Sequence, residues 1–265
     1  MAAARIAFLG LCALVFAFLV LPIFAIVPLS FNAGSFLTYP LDGLSLRWYE
    51  EVFTTERWLR ALRNSLIVAV PATLLATGLG TLAALGLATA RFRGRGLLTG
   101  LLISPMVVPL IISAVGMYFF FAPLGLTNSF LGLILAHTAL GAPFVLVTVS
   151  ATLAGFDHSL IRAAASLGAP PPVVFFRVIV PLILPGLVSG ALFAFATSFD
   201  EVVVVLFVGG PGQRTLPREI FDGIREHVTP AITAVASLLI LFATLLMITM
   251  ELLRRRSERL GGRQG

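Results

Sequence analysis

The chain has 265 residues, of which 58% are hydrophobic and only 11% are charged, and its formal net charge is +6. Soluble globular domains carry about 25% charged residues, so this composition excludes a soluble fold and predicts an integral membrane protein. The positive charge is carried by arginines beside hydrophobic runs, which predicts membrane flanks and argues against nucleic-acid binding.

Six hydrophobic runs are long enough to cross the hydrocarbon core, which takes about 20 residues of helix. We predict spans over residues 6–29, 64–90, 97–121, 129–153, 183–208 and 232–253. The first run is too long for the apolar part of a signal peptide, and Pro22 and Pro28 replace any small-residue cleavage site, so we treat it as a retained span. The pattern predicts an all-α membrane protein with one transmembrane domain over residues 1–265.

The arginines predict the orientation of the chain, because loops on the cytoplasmic side are enriched in positive charge. Arginine crowds the loop around residues 91–95 and the tail from residue 254. We therefore place both termini and the loop at residues 154–181 in the cytoplasm. On the opposite side, Trp48, Tyr49 and Trp58 are predicted to mark a helix at the membrane interface.

Small residues recur at every fourth position of the second span, at Ala76, Gly80, Ala84 and Ala88. A stripe of this kind lets helices approach each other closely in a membrane. We expect the stripe to pack within one helix bundle; a contact between subunits is the alternative.

The loop at residues 154–181 interrupts the spans with two short amphipathic helices. Asp157 can accept hydrogen bonds from free backbone amides at the start of the first helix, and Gly168 can adopt the left-handed conformation that ends it. The apolar face of this helix consists of Leu160, Ala163, Ala164 and Leu167. Residues 170–172, all proline, then start a second helix, which we expect to end before Pro181 opens the next hydrophobic run.

The residues Ala163-Ala164, Gly168 and Ile179-Val180-Pro181 are spaced as in the cytoplasmic EAA loop of ATP-binding cassette (ABC) importer permeases, which this loop resembles. In that family the loop docks into a groove of the ATP-binding subunit. The resemblance implies a coupling site made of Arg162, Ala163, Ala164, Leu167, Gly168 and Pro181. Arg162 departs from the family, which usually has Glu there, and so changes the expected salt bridge to the ATPase. From the loop alone, the alternative is an interfacial helix that only caps the bundle.

Asp200 and Glu201 lie inside the fifth predicted span, where Asp200 is eight residues from the end at residue 208, or about 12 Å at 1.5 Å per residue. An ionised carboxylate in hydrocarbon is costly, so such acids are candidates for a functional site. With the hydroxyls of Thr197 and Ser198 one turn away, they would suit a polar cationic solute crossing the bundle. Adjacent residues point about 100° apart on a helix, so only one acid can face a path squarely, and we favour Asp200. An ion pair with an arginine such as Arg214 is the structural alternative.

His137 lies in the fourth span, where a buried histidine often suggests a proton relay. We instead expect a neutral imidazole that hydrogen-bonds to a neighbouring helix.

A wider resemblance covers nearly the whole chain. The segment Ser198-Phe-Asp-Glu-Val-Val-Val204, followed by Phe207-Val-Gly-Gly-Pro211, is similar to the corresponding part of spermidine/putrescine ABC transporter permeases. So are Pro143-Phe-Val145 and Gly43-Leu-Ser-Leu-Arg-Trp-Tyr49. Relatives that import iron, opines or phosphonates share much of this pattern, so their solutes are the alternative to polyamines.

The resemblance implies the six-helix type I importer permease fold in a bacterial inner membrane. It also implies several partners: membrane lipid, a second permease subunit, a dimer of ATP-binding subunits and an extracytoplasmic solute-binding protein. Selectivity would then depend largely on the solute-binding protein.

The sequence holds no pattern typical of an enzyme. A phosphate-binding P-loop needs a lysine and the chain has none, so we expect ATP hydrolysis on a separate subunit. His137, His158 and His227 are too far apart for a metal site, and no nucleophile elbow occurs, so no catalytic residue, metal or cofactor is predicted. The main rival is a secondary carrier with Asp200 and Glu201 as an ion relay, but it gives no reason for the docking loop and would favour an internal repeat.

Overall fold

The structure is a computed structural model, and it describes residues 2–89, 92–155, 157, 159–226 and 228–261. The last residue of the second predicted span, Arg91, His158 and His227 lie outside the described residues. Within the described part, the chain is helical apart from its loops and one isolated antiparallel bridge between Asn32 and Leu44. The predicted all-α fold is confirmed.

The described residues form twelve α-helices. They are α1 (Ala2–Leu29), α2 (Arg47–Thr54), α3 (Glu56–Thr89), α4 (Arg95–Val107), α5 (Leu110–Phe121), α6 (Phe130–Ala154), α7 (Ser159–Ser166), α8 (Pro171–Val174), α9 (Val180–Phe199), α10 (Val203–Val208), α11 (Leu216–Glu226) and α12 (Pro230–Gly261). A π-helical turn, Phe175–Ile179, joins α8 to α9. Five helical stretches are long and apolar enough to span a membrane, and α4 with α5 forms a sixth candidate that is bent by 107°.

The chain divides into two compact units. The first holds Met1–Arg60 and Glu219–Thr244, and the second holds Ala61–Arg218 and Leu245–Gly265. That the chain is one permease domain stays a prediction.

In the first unit, a buried asparagine organises the loop between α1 and α2. The Asn32 side chain accepts hydrogen bonds from the backbone N–H groups of Gly34 and Asp42, at 3.2 and 3.0 Å, and donates one to the carbonyl of Phe36 at 2.9 Å. The backbone carbonyl of Asn32 accepts a hydrogen bond from the indole N–H of Trp48 at 2.8 Å. One side chain therefore satisfies much of the polar backbone of this loop.

The two tryptophans predicted at the membrane interface are buried, while the position of their helices relative to the membrane stays a prediction. Trp48 and Trp58 are only 8% and 4% exposed, because both rings pack inside the protein. Trp48 finds its polar partner in the Asn32 carbonyl, so the ring does not need water or lipid headgroups for its N–H.

In the second unit, α3, α6 and α9 pack together, and small residues hold the three helices close to one another. A Cβ added to Gly141 would lie 3.1 Å from the Cβ of Ala194 on α9 and 3.3 Å from the Cβ of Ala76 on α3. Ala76 and Ala84 are fully buried, which confirms that the predicted stripe on α3 packs within the bundle. A matching stripe on α9 was not predicted; it consists of Gly186, Gly190, Ala194 and Ser198, all buried.

The pairing of residues along these helices fixes their directions. Ala72, Ala76 and Gly80 of α3 meet Thr138, Gly141 and Val145 of α6 in the same order, so α3 and α6 run parallel. Ala194, Gly190 and Gly186 of α9 meet Gly141, Val145 and Thr152 in the reverse order, so α9 runs antiparallel to α6.

Since α3 and α6 are parallel, the bent pair α4 and α5 between them returns the chain along the bundle once. Residues of α4 pack beside Leu153, at one end of α6, and residues of α5 pack beside Leu133, at the other. The prediction of one continuous helix over 97–121 is wrong in detail, because Val108 is extended, as expected for a residue that precedes a proline. The pair still supplies the third of the six predicted crossings.

Two further boundaries differ from prediction. The second span begins at Glu56 rather than 64, as part of α3. The second helix of the loop is not separate, because Pro171–Phe199 forms one helical stretch of 29 residues. Proline in a helix removes a hydrogen bond and clashes with the carbonyl four residues earlier. The π turn just before Pro181 widens the helix there, and Val180 bonds back to Phe175, which accommodates the proline.

The close contact between α3 and α6 predicts opposite effects of alanine at two neighbouring glycines. At Gly80 a Cβ would meet the Val145 Cβ at 2.7 Å and the Ala142 carbonyl at 2.8 Å, whereas at Gly78 it would meet nothing within 4 Å. We expect Gly80→Ala to lower the free energy of unfolding by about 1–3 kcal/mol through overpacking. Gly78→Ala should be neutral or stabilising by up to ~1 kcal/mol through its helix propensity. Thermal denaturation in detergent measures both variants, and equal stability would contradict this packing.

Candidate functional site

The membrane-embedded acids lie where the helix of the fifth span breaks. α9 ends at Phe199, the chain is irregular at residues 200–202, and α10 begins at Val203. The prediction of a continuous span over 183–208 is therefore wrong, and the depth of Asp200 cannot be counted along one helix.

A contact with α6 gives the depth of this break independently. The His137 Nδ1 and Ser198 Oγ share a hydrogen bond of 2.8 Å. His137 is seven residues into α6 from Phe130, or about 10 Å at 1.5 Å per residue. Because α9 runs antiparallel to α6, Ser198 lies about 10 Å from the start of α6 and the break at residues 200–202 lies nearer to that start, beside the first turns of this apolar helix. The expected hydrogen bond from His137 to a neighbouring helix is confirmed.

Glu201 serves the fold by capping α10. Its side chain is buried, and its Oε1 accepts a hydrogen bond from the backbone N–H of Val204 at 2.9 Å. The first amides of a helix have no partners within the helix, so a carboxylate in this position stabilises the start of α10.

The other end of α10 is also satisfied by groups from elsewhere in this unit. The Arg218 guanidinium donates to the carbonyls of Val205 and Gly209, at 2.8 and 3.0 Å. The backbone N–H of Asn128 donates to the carbonyl of Val208 at 2.8 Å. With Val204, Val205 and Val208 fully buried, α10 is a short half-helix that has partners for several of its free backbone groups and packed apolar side chains.

Asp200 differs from its neighbours because its side chain is exposed. Among the residues that the structure describes, Asp200 forms no ion pair and no side-chain hydrogen bond, and its backbone N–H continues the helix by bonding to Ala196 at 3.1 Å. The predicted alternative of an ion pair with Arg214 is not formed. Thr197, one turn earlier, is half-buried. Of the four residues predicted for a path, Asp200 is exposed and Thr197 is half-buried. Ser198 and Glu201 are buried and form hydrogen bonds within the protein.

The predicted start and stop of the first loop helix are confirmed at α7. Asp157 accepts a hydrogen bond from the backbone N–H of Ser159 at 2.8 Å. Gly168 has a φ of +79°, and the N–H groups of Gly168 and Ala169 bond to the carbonyls of Ala165 and Ala164. This pairing is a Schellman motif, which needs a left-handed residue after the helix.

The apolar side chains of α7 are turned outward. Leu167 is 88% exposed, Leu160 is 43% exposed, and Ala163 and Arg162 are also exposed, whereas Ala164 is half-buried. α7 packs against α8 and the π turn, which lead into α9. The predicted coupling residues 162–168 therefore form one open surface at the start of the stretch that ends beside Asp200. Pro181, also exposed, lies farther along, inside that stretch.

The sequence did not reveal two polar residues that hold the segment after α10. Asn64 donates to the carbonyls of Gly212 and Arg214, at 3.0 and 2.9 Å, and Ser65 accepts from the N–H of Leu216 at 2.8 Å. These contacts join α3 to the segment that follows α10. Asn64 and Ser65 are polar residues at the edge of an apolar run, a weak signal that gives no indication of a partner about 150 residues away.

Comparison with known proteins places the chain among transport proteins. Residues 76–259 match the family model described as binding-protein-dependent transport system inner membrane component. The chain is 36% identical to the spermidine/putrescine transport system permease protein PotC of Haemophilus influenzae, over 92% of this chain and 95% of that protein. It is also 36% identical to the putrescine transport system permease protein PotI of Escherichia coli, over 85% of this chain and 82% of that protein.

A solved structure shows the same fold. A chain of a bacterial ABC transporter involved in the import of the acidic polysaccharide alginate aligns with a TM-score of 0.73 and 15% identity, over 95% of this chain and 97% of that chain. The family match and the relatives together show that this chain belongs to the inner membrane components of binding-protein-dependent transport systems, the permease subunits of ABC importers.

Proposed function

We propose that this chain forms half of the path by which an ABC importer carries polyamines across a bacterial inner membrane. The observation that carries the proposal is Asp200, an exposed carboxylate at a helix break that lies beside the first turns of the apolar helix α6. A carboxylate at this depth is stable only beside water or a cation, so the face that bears it is directed at a wet path or at a partner subunit.

The names of the relatives support a polyamine as the solute, since PotC and PotI are permeases for spermidine and putrescine. Polyamines are polycations at neutral pH, and a carboxylate is the group that attracts them. Broken helices are also common in secondary carriers, so the two breaks in this chain do not by themselves identify the transport mechanism. Family membership favours the ATP-driven importer.

The remaining partners follow from the same proposal. ATP would be hydrolysed on a separate pair of subunits that dock on the exposed surface of α7, with both termini of this chain on the same cytoplasmic side. The solute-binding protein would deliver its cargo on the other side. α1 has no buried side chain between Arg5 and Leu29, so it has a long apolar surface for lipid or for the second permease.

Neutralising Asp200 tests the path. We expect Asp200→Asn to lower uptake of radiolabelled spermidine about 10- to 100-fold, the effect of losing a charged hydrogen-bond partner. The measurement uses proteoliposomes that contain all subunits, with ATPase activity stimulated by the binding protein as the check on assembly. Because the amide oxygen of Gln can still accept from Val204, Glu201→Gln is the matched control and should retain most of its transport. Uptake at the unmodified rate in Asp200→Asn would refute the path and the cationic solute.

The left-handed residue in the loop gives a second test. A Cβ at Gly168 would meet nothing within 4 Å, so alanine or valine there adds only the backbone strain of a positive φ, roughly 1 kcal/mol or more. We expect Gly168→Val to abolish ATP-driven uptake without preventing membrane insertion, and Gly168→Asn to retain part of it, because Asn tolerates this conformation. Gly155 has an ordinary φ of −96° and also has open space, so Gly155→Ala should transport normally. Normal uptake in Gly168→Val would contradict the proposed role of this loop in coupling ATP hydrolysis to transport.

Arg162 tests how the loop meets the ATPase. Its side chain is exposed, so Arg162→Glu restores the usual family residue without disturbing the packing of α7. We expect this variant to assemble and transport at least as well as the unmodified chain. Loss of the ATPase from the purified complex would instead show that the partner subunit matches the arginine.

A further inference from the structure

α9 has two faces with different chemistry. One face carries Gly186, Gly190, Ala194 and Ser198 and is buried against α6. Along the other, Phe193 and Asp200 are exposed and Thr197 is half-buried. Residues 193 and 200 are seven positions apart, or two helical turns, which puts them about 10 Å apart on nearly the same side.

The shared face determines what surrounds Phe193. An exposed phenylalanine on a membrane helix normally contacts lipid. Here the same side of α9 ends in the exposed carboxylate of Asp200, which has no ion pair among the described residues and which lipid tails cannot stabilise. On the proposed function, on which this inference rests, the face borders the solute path, and Phe193 borders it too.

A second ring holds Phe193 in place. Phe144 of α6 stacks on it with ring centroids 6.1 Å apart and an angle of 18° between the planes. Phe193 is nevertheless 44% exposed, because Phe144 lies against one side of the ring only. A fixed aromatic ring with a free face offers a negative π surface to a cation and an apolar surface to methylene groups.

We propose that Phe193, supported by Phe144, is a second contact for the solute, and that with Asp200 it favours long, flexible polycations. A linear polyamine has ammonium groups separated by methylene chains. One ammonium group pairs with the carboxylate, while the next ammonium group or the chain between them lies over the ring two turns deeper. A compact monovalent cation can use only one of these contacts at a time.

The first test distinguishes the effect of the aromatic ring of Phe193 from the effect of an apolar side chain at that position. Phe193→Leu keeps an apolar side chain and removes the π surface, and we expect spermidine uptake at saturating binding protein to fall about 3- to 30-fold, as for loss of a cation–π contact. ATPase activity stimulated by the binding protein should persist, so fewer solutes are moved per ATP. Phe193→Trp should retain transport, because indole is the better π partner for a cation. Phe119→Leu is the matched control, since Phe119 on α5 is 70% exposed and belongs to no proposed site.

Fluorinated phenylalanines at position 193 provide a second measurement that keeps the shape of the ring. Each added fluorine weakens the negative π face, so solute moved per ATP should fall stepwise with fluorination. Equal transport by the Leu and Trp variants, or no trend with fluorination, would overturn the role of Phe193. If either contradicting result is found while Asp200→Asn still abolishes uptake, the proposed function is supported and only the role of Phe193 is overturned. Unmodified uptake in Asp200→Asn would overturn both.

Discussion

The close approach of three helices at Gly141 is the constraint on which the second unit depends. The side chain of this residue is a hydrogen atom, and both Ala76 and Ala194 occupy the space that a larger side chain would need. Lipid tails are as apolar as leucine, so helices in a membrane gain little from burying apolar surface against each other and associate through tight packing instead. The same contact sets the parallel course of α3 and the antiparallel course of α9. It also brings His137 opposite Ser198, and so fixes the position of the break that follows.

Around that break, the structure separates two adjacent acids into different tasks. Glu201 is turned inward and gives its charge to the amides at the start of α10, where it compensates for missing helical hydrogen bonds. Asp200 has no such partner among the described residues and is directed outward. Without Glu201, Arg218 and Asn128, the amide of Val204 and the carbonyls of Val208 and Gly209 would lose these partners inside the membrane. The break is thus a stable part of the fold that presents one carboxylate.

The features that could be predicted from sequence are those that local chemistry decides. Asp157 and Gly168 bound α7 because a cap and a left-handed residue act within a few positions. The stripe on α3 was visible because its period matches a helix. The end of α9 was not visible, since polar residues such as Asp200 and Glu201 do not by themselves end a helix, and the half-helix α10 that follows is held at its far end by Arg218 and Asn128, which are distant in sequence or separated from it by loops. The burial of Trp48 was not visible for a similar reason, because its partner is a backbone carbonyl in a loop without regular structure. In the site itself, the residue types could be recognised, but the different roles of Asp200 and Glu201 could not.

The helical stretch Pro171–Phe199 gives the second unit a mechanical property. It has 29 residues and extends from the loop beside α7 to the residue before Asp200. At 1.5 Å per residue the rod is about 43 Å long, so a tilt of about 10° at one end displaces the other by about 7 Å. The π turn and Pro185 are the points where such a rod can bend, since helices kink where their hydrogen bonds are interrupted. If the loop docks on an ATPase as proposed, the stiffness of these few residues would determine how much movement at the loop reaches the carboxylate.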